Sequence, residues 1–597
     1  MTKLFFLIYN KQSSTGFSLI EALLSAALFS LITATLVGTI IYGKQTTMIA
    51  GQKARAADLA EEGLEATRNI RNANFTNLTD GNHGLAISAN VWTFSGTQDV
   101  TDIFTRQIAI STVDVNRKQI TSTVTWPQNL QRPGTISLVT YLTNWQKTIQ
   151  NKKGGFLVYG DGGTTADTIM YKTFDANSGI WGAATAAADI DLATANKALR
   201  AARIFASATR NEKILVSRHF NSTTQFIYAQ VFNGTGWGNV NLLSSWSANT
   251  FLDVQNFDGA YLSNGDFMVV YTDNTNIPKF KIWNGISWSA SSISCQLIGA
   301  ATARPNYIVL KNRPSSNEVM LAIYDQAKII TTQYFNGSSY VQDSWTLFTT
   351  HPSRSNLNSN RVVDFDWSPN NNTKGGLVYT SNSSNKRLSV NVFTANGSGG
   401  GGWATAAVSP TQPGAVGPVS IIGQPGADYF LACDKDSTTR NVQINCYRAN
   451  YTPLLTATTN GRITTSADLR ISRNYQPGFE PVSASLALIV FSELSGNYAP
   501  KFKTYNPATN TWDLTSTAIN TAPYSLGDVS SVRMISETDT DDIMVLLADS
   551  NLDLYSLVWD GANNAFYAAP AGDAFSQHGT NGSAVLDFWY DFAWSIF

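Results

Sequence analysis

Cysteine is nearly missing from this chain, with three residues in 597. Disulfides therefore cannot be what holds so long a chain together, and a chain of this size buries an ample core without them. Histidine occurs only as His83, His219, His351 and His578. No H-x-x-x-H or C-x-x-C spacing is present, so no metal site is expected. Charge is scarce and balanced, 14% of residues with a net charge of −1. That excludes the clustered Lys and Arg of a nucleic-acid-binding surface. Neither a G-x-S-x-G nor a P-loop is found. These absences lead to the expectation of no catalytic residues and a protein that is not an enzyme. The competing expectation is a glycoside hydrolase or lyase, whose converging acids a sequence cannot display.

Two acidic clusters remain. "SETDTDD", Ser536 to Asp542, has carboxylates suited to Ca²⁺ but lacks the spacing and glycine of an EF-hand. It reads as a solvated turn between two strands. Asp161 with Asp167 is a weaker pair. The cofactor expectation is none, with Ca²⁺ as a weak exception.

What the chain does have is aromatic residues together with Ser, Thr, Asn and Gly, the mixture of many short strands joined by polar turns. Its length calls for more than one domain or one large repeat array. The N-terminal segment differs from the rest. From Phe17 to Tyr42 the only charged residue is Glu21, and the run is longer than the ~20 residues that span a bilayer. Upstream, Lys3 and Lys11 are the only charges, so the segment after Tyr42 is expected outside. A cleaved secretory signal would place small residues after the apolar core; here Gly16 precedes it.

The stretch Gly16-Phe17-Ser18-Leu19-Ile20-Glu21, followed by an uninterrupted apolar helix, resembles the prepilin site of type IV pilins and type II secretion pseudopilins. The resemblance implies cleavage after Gly16 by a prepilin peptidase and N-methylation of the new N-terminal Phe17. It also implies that Glu21 pairs with the Phe17 ammonium of a neighbouring subunit, since a carboxylate unpaired in hydrocarbon is expensive. Gly38 stands where many major pilins carry a helix-bending Pro, so no Pro kink is expected. On this reading residues 1–16 are a leader and residues 17–78 form a hydrophobic, then amphipathic, spine helix. Its second half, "GQKARAADLAEEGLEATRNIRNANF", has Ala57, Ala60, Leu64, Ala66 and Ile70 at roughly helical spacing. Residues 79–148 are the pilin-like sheet head. Its strands are "NVWTFSG", "FTRQIAISTVDV", "KQITSTVTW" and "TISLVTYLTNW". "QKTIQNKKGG" marks the domain boundary.

Residues 153–597 repeat. "YAQVFNGTGWGNV", "KFKIWNGISWSAS", "TTQYFNGSSYVQDSW" and "FKTYNPATNTWDLT" each read as a β-hairpin, with Asn-Gly or a similar turn and a returning aromatic packed across it. The Trp landmarks recur every ~50–60 residues, the range of propeller blades. Each hairpin is preceded by a nearly continuous apolar strand, and most repeats by one more, such as "ARIFASA", "FDGAYLS", "VVDFDWSP", "DLRISRN" and "VSSVRMIS". Four strands make one blade. The first repeat lacks its opening strand. "AVLDFWYDFAW", Ala584 to Trp594, supplies it from the other end and closes the ring. The count is about eight blades, or seven if the degenerate copy at Asn441 is an insertion. In that copy Cys433 and Cys446 lie on two strands of one hairpin. A disulfide there would close a loop worth up to ~3 kcal/mol.

The expected fold class is thus mainly β with a long N-terminal α-helix: a pilin-like helix and small antiparallel sheet, then a β-propeller. The expected function is a minor, tip-type pilin-like subunit that displays a propeller for adhesion or surface recognition. The alternatives are a type II secretion pseudopilin meeting cargo and a tethered glycan-acting enzyme. The partners implied are the prepilin peptidase, other pilin subunits, the inner membrane before assembly, and a surface ligand of glycan or protein; nucleic acid is not among them. The implied location is the bacterial inner membrane as precursor, then the cell surface or an extracellular pilus.

Overall fold

The computed structural model describes residues 18–88, 90–114, 117–129, 132–144, 153–160, 168–190, 198–221, 223–247, 254–299, 303–351, 361–380, 386–436, 442–452, 455–465, 473–493, 500–522, 524–567, 576–580 and 589–595. Gly16, Phe17, Asp161 and Asp167 lie outside them. The chain divides into two compact units, Met1–Ile149 and Gln150–Phe597.

The first unit is built on one helix, Leu19–Ala73. Ser18 caps it: its hydroxyl accepts from the Glu21 amide, and the Glu21 carboxylate accepts from the Ser18 amide at 3.1 Å. This reciprocal pair satisfies two of the donors that every helix start leaves open. The helix runs unbroken through Gly38. Its apolar half is exposed on all sides and is long and apolar enough to cross a membrane. The second half buries Ala56, Leu59, Ala60, Gly63, Leu64, Thr67 and Ile70, the i, i+3, i+4, i+7 stripe of a helix laid on a sheet. Ala57, placed on the apolar face by sequence, is only half-buried, because the stripe is rotated by one position. Gly63 allows the close approach, since a Cβ there would lie 2.6 Å from Ser122 Oγ.

The sheet beneath the helix is antiparallel, in the order Gly81–His83, Phe104–Asp114, Arg117–Asn129, Arg132–Thr143, with Asp99–Thr101 also on Phe104–Asp114. Leu85–Ser88 and Val91–Phe94 form a separate hairpin. The expected strand "NVWTFSG" therefore belongs to that hairpin, outside the main sheet.

The second unit is a β-propeller of eight blades among the described residues. Blades 2 to 8 begin with the innermost strands Ala198–Ala206, Phe257–Tyr261, Pro305–Asn312, Val363–Trp367, Val416–Gly423, Tyr475–Phe479 and Val529–Ser536. Blade 1 takes its innermost strand from the C-terminus: Tyr590–Ser595 pairs with Gly154–Gly160, Tyr590 opposite Tyr159 and Ser595 opposite Gly154. Each innermost strand touches the next around the ring, and the last touches the first. The second strands are buried throughout, as in Val319–Asp325 and Ile543–Asp549, because both faces press on neighbouring blades. Most of the expected "DLRISRN" lies outside the described residues, and the innermost described strand of blade 7 is Tyr475–Phe479. Pro477 and Gly478, poor strand formers by propensity, hide it in the sequence.

The hairpin signals have a direct structural cause. Asn233, Asn284, Asn336 and Asn396 each accept from the amide two residues on. The glycine that follows each of them has φ between 73° and 94°, a region cheap only for glycine. Across these turns Phe232 faces Trp237, Trp283 faces Trp288, Phe335 faces Trp345 and Phe393 faces Trp403, with ring centroids 5.2–5.5 Å apart, and Tyr505 faces Trp512 in the same way across the Asn506 turn at 5.0 Å. Blade 6 lacks this pair.

At the closure, the Phe592 ring lies over Gly155, where a Cβ would come 2.0 Å from the ring. Gly155→Ala is expected to displace that ring and destabilise the propeller by about 1–3 kcal/mol. Gly402→Ala, in open space, serves as control. Thermal unfolding of the full chain in detergent checks this: the midpoint falls for Gly155→Ala and stays for Gly402→Ala.

Candidate functional site

Most innermost strands carry a charged or amide side chain at the position that alternation turns toward the axis. Together they line an axial cavity of about 330 Å³. Arg203 comes from blade 2, Asp258 from blade 3, Lys311 from blade 4, Asp364 and Asp366 from blade 5, Gln476 from blade 7, Arg533 from blade 8 and Asp591 from blade 1. Arg361 and Arg473 sit just ahead of the strands of blades 5 and 7 and reach the same space. Lys311 is 45% exposed, so the cavity meets solvent there.

Odd and even blades play different parts. Odd blades have innermost strands of five or six residues, even blades of eight or nine. Three odd blades use an acid to accept an amide of the next, even blade: Asp591 from Ile204 at 3.1 Å, Asp258 from Leu310 at 2.9 Å, Asp364 from Ile421 at 3.4 Å. At the fourth such seam the acid is replaced by Gln476, whose amide donates to the Met534 carbonyl at 3.0 Å. In the other direction, Trp367 and Trp594 of odd blades donate to carbonyls of the preceding even blade, Lys311 at 3.1 Å and Ile535 at 2.8 Å. Positions 258, 364, 476 and 591 thus mark a two-blade unit used four times.

Asp591 is the hub. Its two oxygens take the Arg203 guanidinium at 2.9 Å and the Arg533 guanidinium at 2.7 Å. Burial works against the Arg203 charge, and the Asp258 and Asp591 carboxylates outweigh it, so its pKa rises. Arg533 goes the other way, to about 10: burial dominates, Asp591 opposes it, and the nearby Arg361 and Arg203 charges add to the fall. On the far side the pairs are looser, Arg473 with Asp364 at 3.5 Å and Lys311 with Asp366 at 4.0 Å. Burial raises the pKa of Asp366, against the Lys311 charge, and that of Asp258, against Arg203.

The residues singled out by sequence lie elsewhere. Glu21 caps its own helix. Cys433 and Cys446 are joined by a disulfide between facing strands of blade 6, and Cys295 is free and buried. Beside that disulfide, Asp434 is fully buried with one oxygen held by Asn445 at 3.3 Å. Burial lifts its pKa to about 7, and Asp436 adds to the rise. Within "SETDTDD", Lys153 pairs with Glu537 and Asp539, and Asp541 accepts from the Val482 and Ser483 amides. Those carboxylates are committed, and no group of three or more ligating side chains is arranged for a metal among the described residues. The channel residues are not among those singled out by sequence, although a signal exists: one or two charges inside an otherwise apolar opening strand, as in "ARIFASA", "FDGAYLS", "VVDFDWSP" and "VSSVRMIS".

Two outcomes follow. Asp591→Asn leaves the buried Arg533 and the partly buried Arg203 guanidinium groups without the carboxylate between them, and is expected to cost about 3 kcal/mol, read from denaturant unfolding of the full chain. Asp434 binds its proton more tightly folded than unfolded. Its contribution to stability is therefore present at low pH, declines as pH rises above the unfolded carboxyl value of about 4, and is gone beyond about 7. Asp434→Asn is expected to flatten that decline and gain stability at pH 8 relative to the parent, measured as unfolding midpoints across pH.

No family model matches the sequence, and a comparison with curated proteins finds no match. Solved structures do match. The chain is similar to the BP39L lectin of Burkholderia pseudomallei at 11% identity and a TM-score of 0.43, over 62% of this chain and 98% of that one. It is also similar to a periplasmic gluconolactonase of Pseudomonas aeruginosa at 12% identity and a TM-score of 0.34, over 62% and 97%. The second match corrects the expectation that the chain is not an enzyme. That expectation rested on missing motifs, and chains of similar architecture include a lactonase. What the chain consists of is a long apolar N-terminal helix followed by a small sheet and a β-propeller.

Proposed function

We propose that the chain is a minor, tip-type subunit of a type IV pilus or related filament, and that its propeller recognises a surface ligand at the axial cavity. The observation that carries the first half is the helix. Its apolar half buries nothing within the chain and holds one carboxylate, Glu21, in its first turn. In the single chain that carboxylate closes on its own Ser18 amide. Cleavage after Gly16 would free the Phe17 ammonium one residue away, and in hydrocarbon a neighbour's ammonium is a stronger partner for a carboxylate than an amide is. The precursor then resides in the inner membrane, and the propeller is carried outside. The axial cavity supports the second half. It is the place where all eight blades converge, and its size falls at the lower end of small-molecule sites (~300–1,000 Å³).

A second reading, a tethered glycan-acting enzyme, is favoured by one observation. Asp364 and Asp366 share one strand and one cavity, and burial drives Asp366 toward its protonated form while Asp364 is paired with Arg473. Two carboxyls in unlike environments are what acid–base cleavage of a glycosidic bond uses.

The tests are separable. Co-expression with a prepilin peptidase should yield a mature chain beginning at N-methylated Phe17 by mass spectrometry. Glu21→Ala should be cleaved normally and fail to enter filaments. A mature chain starting elsewhere, or normal incorporation of Glu21→Ala, removes the filament reading. Release of reducing ends from surface polysaccharide, lost in Asp366→Asn, would select the enzyme.

A further inference from the structure

The outer strand of blade 6, Leu455–Thr464, carries no aromatic residue and parts from its neighbour Ile444–Asn450 halfway along. Ala457 lies opposite Tyr447 and Arg462 opposite Asn445, so residues 458–461 swing out between them. There Thr459 pairs with Thr511 of blade 7, and the Asn460 side chain donates to the Trp512 carbonyl at 3.0 Å. Gly461 lets the excursion fold tightly, since a Cβ would lie 2.1 Å from Thr458 Oγ1. Both strands and residues 410–413 line a cavity of about 450 Å³ at this opening, and it shares no lining residue with the axial one.

Two joined amides lie in its buried part. Asn445 Nδ2 donates to Gln412 Oε1 at 3.1 Å and to Asp434 Oδ1 at 3.3 Å, and Gln412 Nε2 donates to the Tyr447 hydroxyl. Gln412, Asn445 and Tyr447 are each only 6% exposed. The Asn445 oxygen and the second Gln412 Nε2 hydrogen are left over, without a partner among the described residues. Buried amide valences are costly to leave open, and an acceptor and a donor on two joined amides complement a third amide. Pro410, Pro413 and Ala457 supply apolar wall, and Arg462 stands at the exposed rim.

We propose that this opening in blade 6 is a second ligand site, separate from the axial cavity, and that it takes an N-acetylated sugar. The acetamido N–H donates to Asn445 Oδ1, its carbonyl accepts from Gln412 Nε2, and its methyl group rests on Ala457 and the prolines. Ring hydroxyls then meet the Arg462 guanidinium and the Thr411 hydroxyl at the rim. The volume lies within the range of small-molecule sites (~300–1,000 Å³). A peptide also offers amides, but strand-like docking needs main-chain donors along the wall. Pro410 and Pro413 have none, and the Gln412 amide is taken by the Lys386 carbonyl. The inference does not depend on the axial reading.

The test titrates the full chain in detergent by calorimetry with N,N′-diacetylchitobiose, with cellobiose, which has the same linkage and no acetamido group, and with a capped alanine dipeptide. Diacetylchitobiose is expected to bind at least about tenfold more tightly than either, because a site built for an amide rejects an analogue that leaves its polar groups unpaired. Gln412→Glu keeps the acceptor for Asn445 and removes the donor, and should erase most of that preference. Ala457→Trp fills the mouth from an exposed position and should abolish binding without shifting the unfolding midpoint, so it remains decisive if Gln412→Glu fails to fold. Equal affinity for the two disaccharides overturns the acetamido group as the feature recognised. A dipeptide bound as tightly as diacetylchitobiose overturns the sugar. No binding of diacetylchitobiose, or binding that Ala457→Trp leaves intact, overturns the site and leaves the axial reading untouched.

Discussion

The returning strand Tyr590–Ser595 is what makes the second unit a ring. Without it, Gly154–Gly160 would present a row of unpaired amides and carbonyls, and blade 1 would lack the surface that blades 2 and 8 pack against. The same six residues bring Asp591 to the axis, where one carboxylate joins Arg203 of blade 2 to Arg533 of blade 8. Closure and channel chemistry thus rest on one segment. The ends of the propeller meet through main-chain hydrogen bonds within blade 1 and through two ion pairs at the axis.

The apolar helix and the propeller satisfy their backbones in different ways. In the apolar half of Leu19–Ala73 the backbone groups beyond the capped first turn are satisfied within the helix, the condition that hydrocarbon would impose, and its threonines hydrogen-bond back onto carbonyls one turn earlier. The propeller instead buries long apolar strands between blades and leaves its turns to water. The head lies between them in sequence. There Arg106 joins helix and sheet, donating to the Leu59 carbonyl while pairing with Asp99.

Much of this architecture is legible in the sequence. Asn-Gly turns, returning tryptophans and continuous apolar strands are local signals, fixed by φ preferences and by burial on two faces. The blade count and the closing strand follow from spacing. The axial site is less legible. Arg203, Asp258, Asp364 and Asp591 are far apart in the chain, and only the ring brings them together. Each alone reads as a stray charge in a strand. Blade 7 hides its innermost described strand behind Pro477 and Gly478, and blade 6, with a disulfide in place of the aromatic pair, looks degenerate although its sheet is complete.

The alternation of acid-bearing and amide-offering strands sets a rule of parity. Each odd blade extends a side chain forward to a main-chain group of its even successor, whereas Arg203, Lys311 and Arg533 of even blades reach forward to carboxylates of the odd blade that follows. Losing or gaining a single blade would set two blades of one kind edge to edge, and at that seam one of these two kinds of contact would lose its counterpart. A ring built on this alternation keeps all its seams matched when blades are added or lost in pairs.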